Sequence, residues 1–202
     1  LRWHSAELGT VPPAQFIPVA EDTGLIVPIG EWVMREACAR SRAWSEENGL
    51  RVAVNISARQ FQDRGFASSV HRILRDTGFN PKRLELEITE SLLMRQTEET
   101  LAALRALGDL GVRLAIDDFG TGYSSLAYLR RFPIDILKID QTFVRDIPAD
   151  PNAGAIATGI IALAHSLGIH VVAEGVETTG QLAFLRTQAC DAVQGHYFSH
   201  PL

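Results

Sequence analysis

Cysteine is scarce in this chain. Cys38 and Cys190 are the only two in 202 residues; they lie far apart and form no Cys-x-x-Cys. A disulfide framework and a cysteine metal knuckle are both excluded, and the thiols are expected to be core fillers in a reducing compartment. Positive charge does not dominate either, since 19 basic residues face 24 acidic ones for a formal net charge of −5. That excludes the electrostatic footprint of a general DNA binder. A phosphate ligand would need something other than bulk charge to hold it, and a bridging metal is the obvious candidate. The longest apolar region, residues 153–173, is interrupted by His165, Ser166, Gly168 and His170. It reads as a helix followed by a strand, not as a membrane span. No secretory signal is visible at the amino end, and no low-complexity tract or long linker is expected within these residues. The six histidines, His4, His71, His165, His170, His196 and His200, show no metal-ligand spacing, which argues against zinc.

What is present is 46% hydrophobic residue content, enough for a single soluble domain with a large core. The segment Thr10-Val11-Pro12-Pro13 reads as a turn, followed by a short helix over 14–21 and a longer one over 29–47 that Asn48-Gly49 stops. Strand and helix then alternate. Strands are expected at 51–55, 84–89, 112–117, 136–140 and 169–173, with a last short one reaching Gly195. Helices are expected at 66–77, 97–110, 123–131 and 150–167, the last opened by Asp150-Pro151. Thr178-Thr179-Gly180-Gln181 has capping-box spacing and opens one more. This order predicts an α/β fold with a parallel sheet and crossover helices.

The polar residues near the strand ends recur with the same rhythm. Asn55, Glu87, Asp117, Lys138, Glu174 and Gln194 are separated by 32, 30, 21, 36 and 20 residues, about one strand–helix unit each. In a TIM-type (β/α) barrel the carboxyl ends of the strands share one face, which carries the chemistry. An open doubly wound sheet usually has a glycine-rich phosphate loop after its first strand, and no G-x-G-x-x-G occurs here. A barrel is therefore predicted. Each residue also has a plainer reading: Asn55 as a turn residue, Glu87 as a solvent-facing strand residue, Glu174 and Glu177 as loop charges. Lys138 is harder to dismiss, because a charge inside an apolar strand is costly unless paired.

The stretch from Arg113 to Ser125 is the centre of the pattern. An apolar run ends in Asp117-Asp118, and Gly120 and Gly122 follow. Two carboxylates at a strand end suit a hard divalent cation, though they also suit a turn and helix cap. Glu87, Asp117, Asp118 and Glu174 in one pocket would repel one another without a counter-charge. Oxygen-only donors, with the Asn55 amide among them, point to magnesium or manganese. Adjacent aspartates suit two cations roughly 3.5–4 Å apart, an arrangement that activates water for in-line displacement at phosphorus. Lys138 would position the water or offset developing charge. A barrel that abstracts a proton beside a carboxylate and holds the enolate on magnesium fits the same spacing.

Several ordered motifs narrow this. Val54-Asn55-Ile56-Ser57, Glu85-Leu86-Glu87-Ile88-Thr89-Glu90, the run from Asp117 to Leu126, Leu137-Lys138-Ile139-Asp140, Ala173-Glu174-Gly175-Val176-Glu177 and Gln194-Gly195 closely resemble the EAL domain, a bacterial cyclic di-GMP phosphodiesterase. The early segments from Pro12 to Pro18 and from Gly24 to Ile26 are similar too, so the resemblance runs along essentially the whole of residues 1–202. It implies a modified TIM-type barrel that hydrolyses cyclic di-GMP to linear pGpG with two magnesium or manganese ions. By the resemblance, Asn55, Glu87 and Asp117 are metal ligands and Asp118 helps hold the second metal. Lys138 and Glu174 serve the attacking water, Glu174 as general base. Glu177 would brace the loop after Asp118, Gln194 would support the rim, and Arg2 would contact a substrate phosphate. The 118–131 loop and helix resemble a homodimer interface. The domain would be cytoplasmic, in a protein that could itself be membrane-tethered, under an upstream sensor or diguanylate cyclase domain.

Two departures stand out. The sequence begins inside the segment that should read Glu-Ala-Leu-Leu-Arg-Trp, so the family's first glutamate, another metal ligand, and the first strand are expected to be missing from this numbering. His196 stands where the family usually has an aromatic residue, with little expected effect. The other class of function to weigh is a non-catalytic cyclic di-GMP receptor or scaffold, favoured only by the missing glutamate.

Overall fold

The computed structural model describes residues 1–44, 49–93, 98–122 and 129–200. They divide into two compact units: residues 1–86 with 98–112, and residues 87–97 with 113–202.

The first unit opens with a hairpin of β1 (Trp3–Ser5) and β2 (Gly9–Val11), paired antiparallel from Trp3–Val11 to Ser5–Gly9. The sequence reading made Thr10-Val11 part of a turn. The turn instead comes earlier, where the Ser5 hydroxyl accepts from the Glu7 and Leu8 N–H groups and Gly9 takes a positive φ of 68°. Helices α1 (Pro13–Thr23) and α2 (Ile26–Ser41) follow, separated by Gly24 in the left-handed region. The expected α2 end at 47 falls outside the described residues, and the helix itself stops at Ser41. Next come β3 (Val52–Ile56), α3 (Ala58–Phe61), α4 (Phe66–Thr77), a 3-10 turn (Pro81–Arg83), the first half of β4 (Leu84–Thr89) and α6 (Glu98–Asp109), with α5 (Glu90–Leu93) between the last two belonging to the second unit. Buried Arg83 ties the segment after α2 together, donating to the carbonyls of Leu50 at 2.9 Å and of Trp44 and Ser41 at 3.2 Å.

The second unit holds the last half of β4, then β5 (Arg113–Phe119), β6 (Ile136–Ile139), β7 (His170–Ala173) and β8 (Ala192–Val193). β5 pairs with β6, β6 with β7 and β7 with β8, all parallel. Their side chains form near-continuous buried apolar runs, as a parallel strand covered on both faces requires: Leu114, Leu137, Ile139, Val171 and Ala173 are all fully buried. The connecting helices are α7 (Gln141–Val144), α8 (Pro151–Ser166) and α9 (Thr179–Thr187). Asp150 caps α8 by accepting from Asn152 N–H, with Pro151 at the first turn. Ala153, Ala157, Ile160, Ile161 and Ala164, spaced three or four apart, form the buried stripe of α8. The capping box of α9 is formed as read: Thr178 accepts from Gln181 N–H, and the Gln181 side chain accepts from Thr178 N–H. The helix expected at 123–131 lies largely outside the described residues, at 123–128.

Candidate active site

The acids and the lysine of the second unit meet because β5 is not a regular strand. Successive side chains of a strand point to opposite faces, so Asp117 and Asp118 should diverge. The β5–β6 register instead shifts between Ile116 and Phe119, and Asp118 adopts a positive φ of 53°. This bulge turns both carboxylates the same way. Oxygens of Asp117, Asp118 and Glu174 then lie within 4.8 Å of one another, a group that could hold a metal ion.

Lys138 stands among them on β6, where all four residues are buried. Its Nζ lies 2.6 Å from Glu174 Oε1, 2.7 Å from Glu87 Oε1 and 3.0 Å from Asp117 Oδ1. The pairing that a charge inside an apolar strand requires is thus supplied three times over. Burial alone would pull the lysine pKa down; the hydrogen bonds to Glu174 and Glu87, with the charge of Glu87, outweigh it and hold the pKa above its ordinary value. Glu174 is pushed up by burial, against the hydrogen bond and charge of Lys138. Asp118 is also pushed up, first by burial, then by the charges of Asp117 and Asp140, and by the hydrogen bond its protonated form donates to the Asp140 carboxylate. Two carboxyls in such contact need a shared proton or a cation between them. One ammonium therefore serves more acid than it can neutralise, and the donor set is all oxygen. Both facts fit a hard divalent cation.

Two contributors were not assigned from the sequence. Asp140, buried at the end of β6, caps α7 by accepting from Thr142 N–H at 2.8 Å while facing Asp118. Glu90, buried in α5, accepts the Gly120 N–H at 2.9 Å and so braces the loop after β5. An added Cβ would meet Glu90 Oε1 at 2.7 Å from Gly122 and the Phe143 ring at 2.7 Å from Gly120, so both glycines are needed for that close fit. Asp140 carries a signal in hindsight, being another acid directly after a strand. Glu90 carries none, because its partner is a backbone group in the loop after β5.

The rim is built from the loop after β7 and the turn after β8. Val176 N–H donates to the Gln194 carbonyl at 3.0 Å, and Gln194 N–H to the Ala173 carbonyl at 2.8 Å. Gly195 lies so close to the Val176 backbone that no side chain fits there. Glu174, Glu177, Gln194, His196 and His200 line an open cavity of about 430 Å³. The Glu177 carboxylate lies 3.7 Å from His196 Nδ1. His196 and His200 stand four apart, with ring centroids 4.4 Å apart. Asn55, exposed on β3, and Arg2, ahead of β1, belong to the first unit.

A family profile described as "EAL domain" matches residues 1–201. The whole chain is 45% identical to part of the bifunctional diguanylate cyclase/cyclic di-GMP phosphodiesterase MucR of Pseudomonas aeruginosa, covering 30% of that protein. It is 42% identical to part of the cyclic di-GMP phosphodiesterase PdeR of Escherichia coli, covering 31% of it. Against several curated relatives it spans about a quarter of their length. A solved structure described as the PaMucR phosphodiesterase in complex with c-di-GMP superposes with a TM-score of 0.93 at 45% identity, over all of this chain and 82% of that one. An EAL enzyme, Bd1971, superposes at a TM-score of 0.91 and 34% identity, covering 100% of this chain and 56% of that one. The predicted fold class therefore holds. Among the described residues, no helix is long and apolar enough to cross a membrane.

Proposed function

Since the chain belongs to the EAL domain family, we propose that it hydrolyses cyclic di-GMP to linear pGpG with magnesium or manganese. The observation that carries this reading is the carboxylate group around Lys138, with Asp117, Asp118 and Glu174 placed to share a cation. Glu87 and Asp117 would hold one ion, and Asp118 would help hold a second; Asn55 is proposed as a further ligand on the family resemblance alone. Bound there, the ions supply Lewis-acid charge that makes water a nucleophile near neutral pH and stabilises the charge developing on phosphorus. Glu174 takes a proton from the attacking water; its raised pKa suits a group that must hold that proton briefly. Lys138 keeps Glu87, Asp117 and Glu174 in register and offsets their charge. The water oxygen bonds to phosphorus, one ester P–O bond breaks, and the departing oxygen leaves as a hydroxyl by taking a proton from solvent, while Glu174 later releases its own. Arg2 would contact a substrate phosphate, Glu177 would brace the loop after Asp118, and Gln194 would support the rim.

We assign the domain to the cytoplasm, under an upstream sensor or diguanylate cyclase domain, and as a homodimer through 118–131. The receptor reading has no support from the acid group, which a pure binder of cyclic di-GMP would not need. Turnover of cyclic di-GMP with magnesium separates the two. Linear product that appears with metal and stops with chelator is expected. Tight binding of cyclic di-GMP without product, in a protein that also binds the metal, would overturn the hydrolase reading.

A further inference from the structure

We propose that His196, His200 and Glu177 form a second cation site, for a borderline transition ion such as copper(II) or nickel(II), in the cavity wall beside Glu174. The three residues line the same open cavity, and each side chain is reachable from solvent: His196 is 50% and Glu177 63% exposed. His196 opens a turn over 196–198 that is held by Tyr197 N–H donating to the Val176 carbonyl at 3.0 Å and Phe198 N–H to the Gly195 carbonyl at 3.2 Å, and His200 follows two residues after it. Their ring centroids are 4.4 Å apart. Two imidazoles bound at a right angle through bonds of roughly 2.0–2.1 Å would have centroids about 4.5 Å apart. The rings therefore already stand at the separation that two imidazoles on one tetragonal copper(II) or octahedral nickel(II) would have, and the side chains must turn to aim a nitrogen of each at it. Glu177 Oε1, 3.7 Å from His196 Nδ1, is within a side-chain adjustment of a third position.

The acid group around Asp117 offers oxygen only, whereas this set offers imidazole, so the two sites select different ions. An ion here would tie the turn after β8 to the loop of Glu174–Glu177 and narrow the cavity entrance. That consequence, unlike the site itself, rests on the proposed hydrolase reading.

The test is a copper(II) titration of the whole chain in millimolar magnesium, read by electron paramagnetic resonance and calorimetry. One copper per chain with the signature of two imidazole nitrogens is expected. His200→Ala and His196→Gln should each weaken it at least tenfold, with unchanged circular dichroism, and Glu177→Gln by less. Full affinity and an unchanged nitrogen signature in both histidine variants would overturn the proposal, as would displacement of copper by magnesium. Because no substrate is used, failure here leaves the hydrolase reading untouched, and loss of hydrolysis leaves this site untouched.

Discussion

Replacing Lys138 by methionine isolates what the ammonium contributes. Methionine keeps much of the buried stem and removes the charge, leaving three carboxylates that are now partnered at 2.6, 2.7 and 3.0 Å without their cation. Removing one partner of a buried ion pair costs about 3–5 kcal/mol. Glu174 is 18% exposed and can recruit water, so the lower end, about 3 kcal/mol, is expected without divalent metal near neutral pH. With a urea slope of about 2 kcal/mol/M, the unfolding midpoint should fall by about 1.5 M. The pH dependence has a definite sign. Burial already raises the Glu174 pKa, and Lys138 opposes that rise; the same opposition acts on Asp118. Without Lys138 both rise further. An acid whose folded pKa is raised stabilises the fold below its unfolded value, about 4, and loses that contribution as pH climbs through the folded pKa. The variant's deficit should thus be small near the unfolded carboxylate value, about pH 4, and grow towards neutral pH as the raised folded values are passed, and magnesium should recover part of it. Urea melts followed by circular dichroism at both pH values decide the matter. A midpoint within about 0.3 M of wild type at neutral pH, or a deficit that ignores pH, would refute the reasoning.

Gly195→Ala places a methyl against the Val176 backbone, which is pinned by its own hydrogen bonds to Gln194 and Tyr197. A loss near the top of the overpacking range, about 3 kcal/mol, is expected in a thermal melt, and an unchanged melting temperature would contradict it. Burial raises the Cys38 thiol to about 11, and the residue is fully buried. In the native protein it should resist a thiol reagent at about pH 8, while half-buried Cys190 reacts first. The stability linked to Cys38 is complete below the unfolded thiol value, about 8.5, and is lost as pH rises through the folded one. Simultaneous labelling of both thiols on mixing would count against the packing around α2.

Much of this was legible in the chain because it rests on local pattern. The alternation of strand and helix, the Asp150-Pro151 start of α8 and the Thr178–Gln181 box depend on neighbours in sequence. The need for Lys138 to be paired followed from the cost of a lone buried charge. What escaped depends on tertiary register. The β5 bulge is a mismatch with β6, so nothing within Arg113–Phe119 announces that Asp117 and Asp118 turn together. Glu90 reaches a backbone N–H thirty residues away. The β1–β2 hairpin was hidden because its strands have only three residues each, too few for alternation to register.

Manganese binding tests the central claim most directly. Titration of the chain with Mn(II), following the free-ion resonance, should show saturable uptake. Asp117→Asn, which preserves the shape of the side chain, should weaken uptake at least tenfold without altering the circular dichroism spectrum. Undiminished manganese affinity in a folded Asp117→Asn protein would contradict the account.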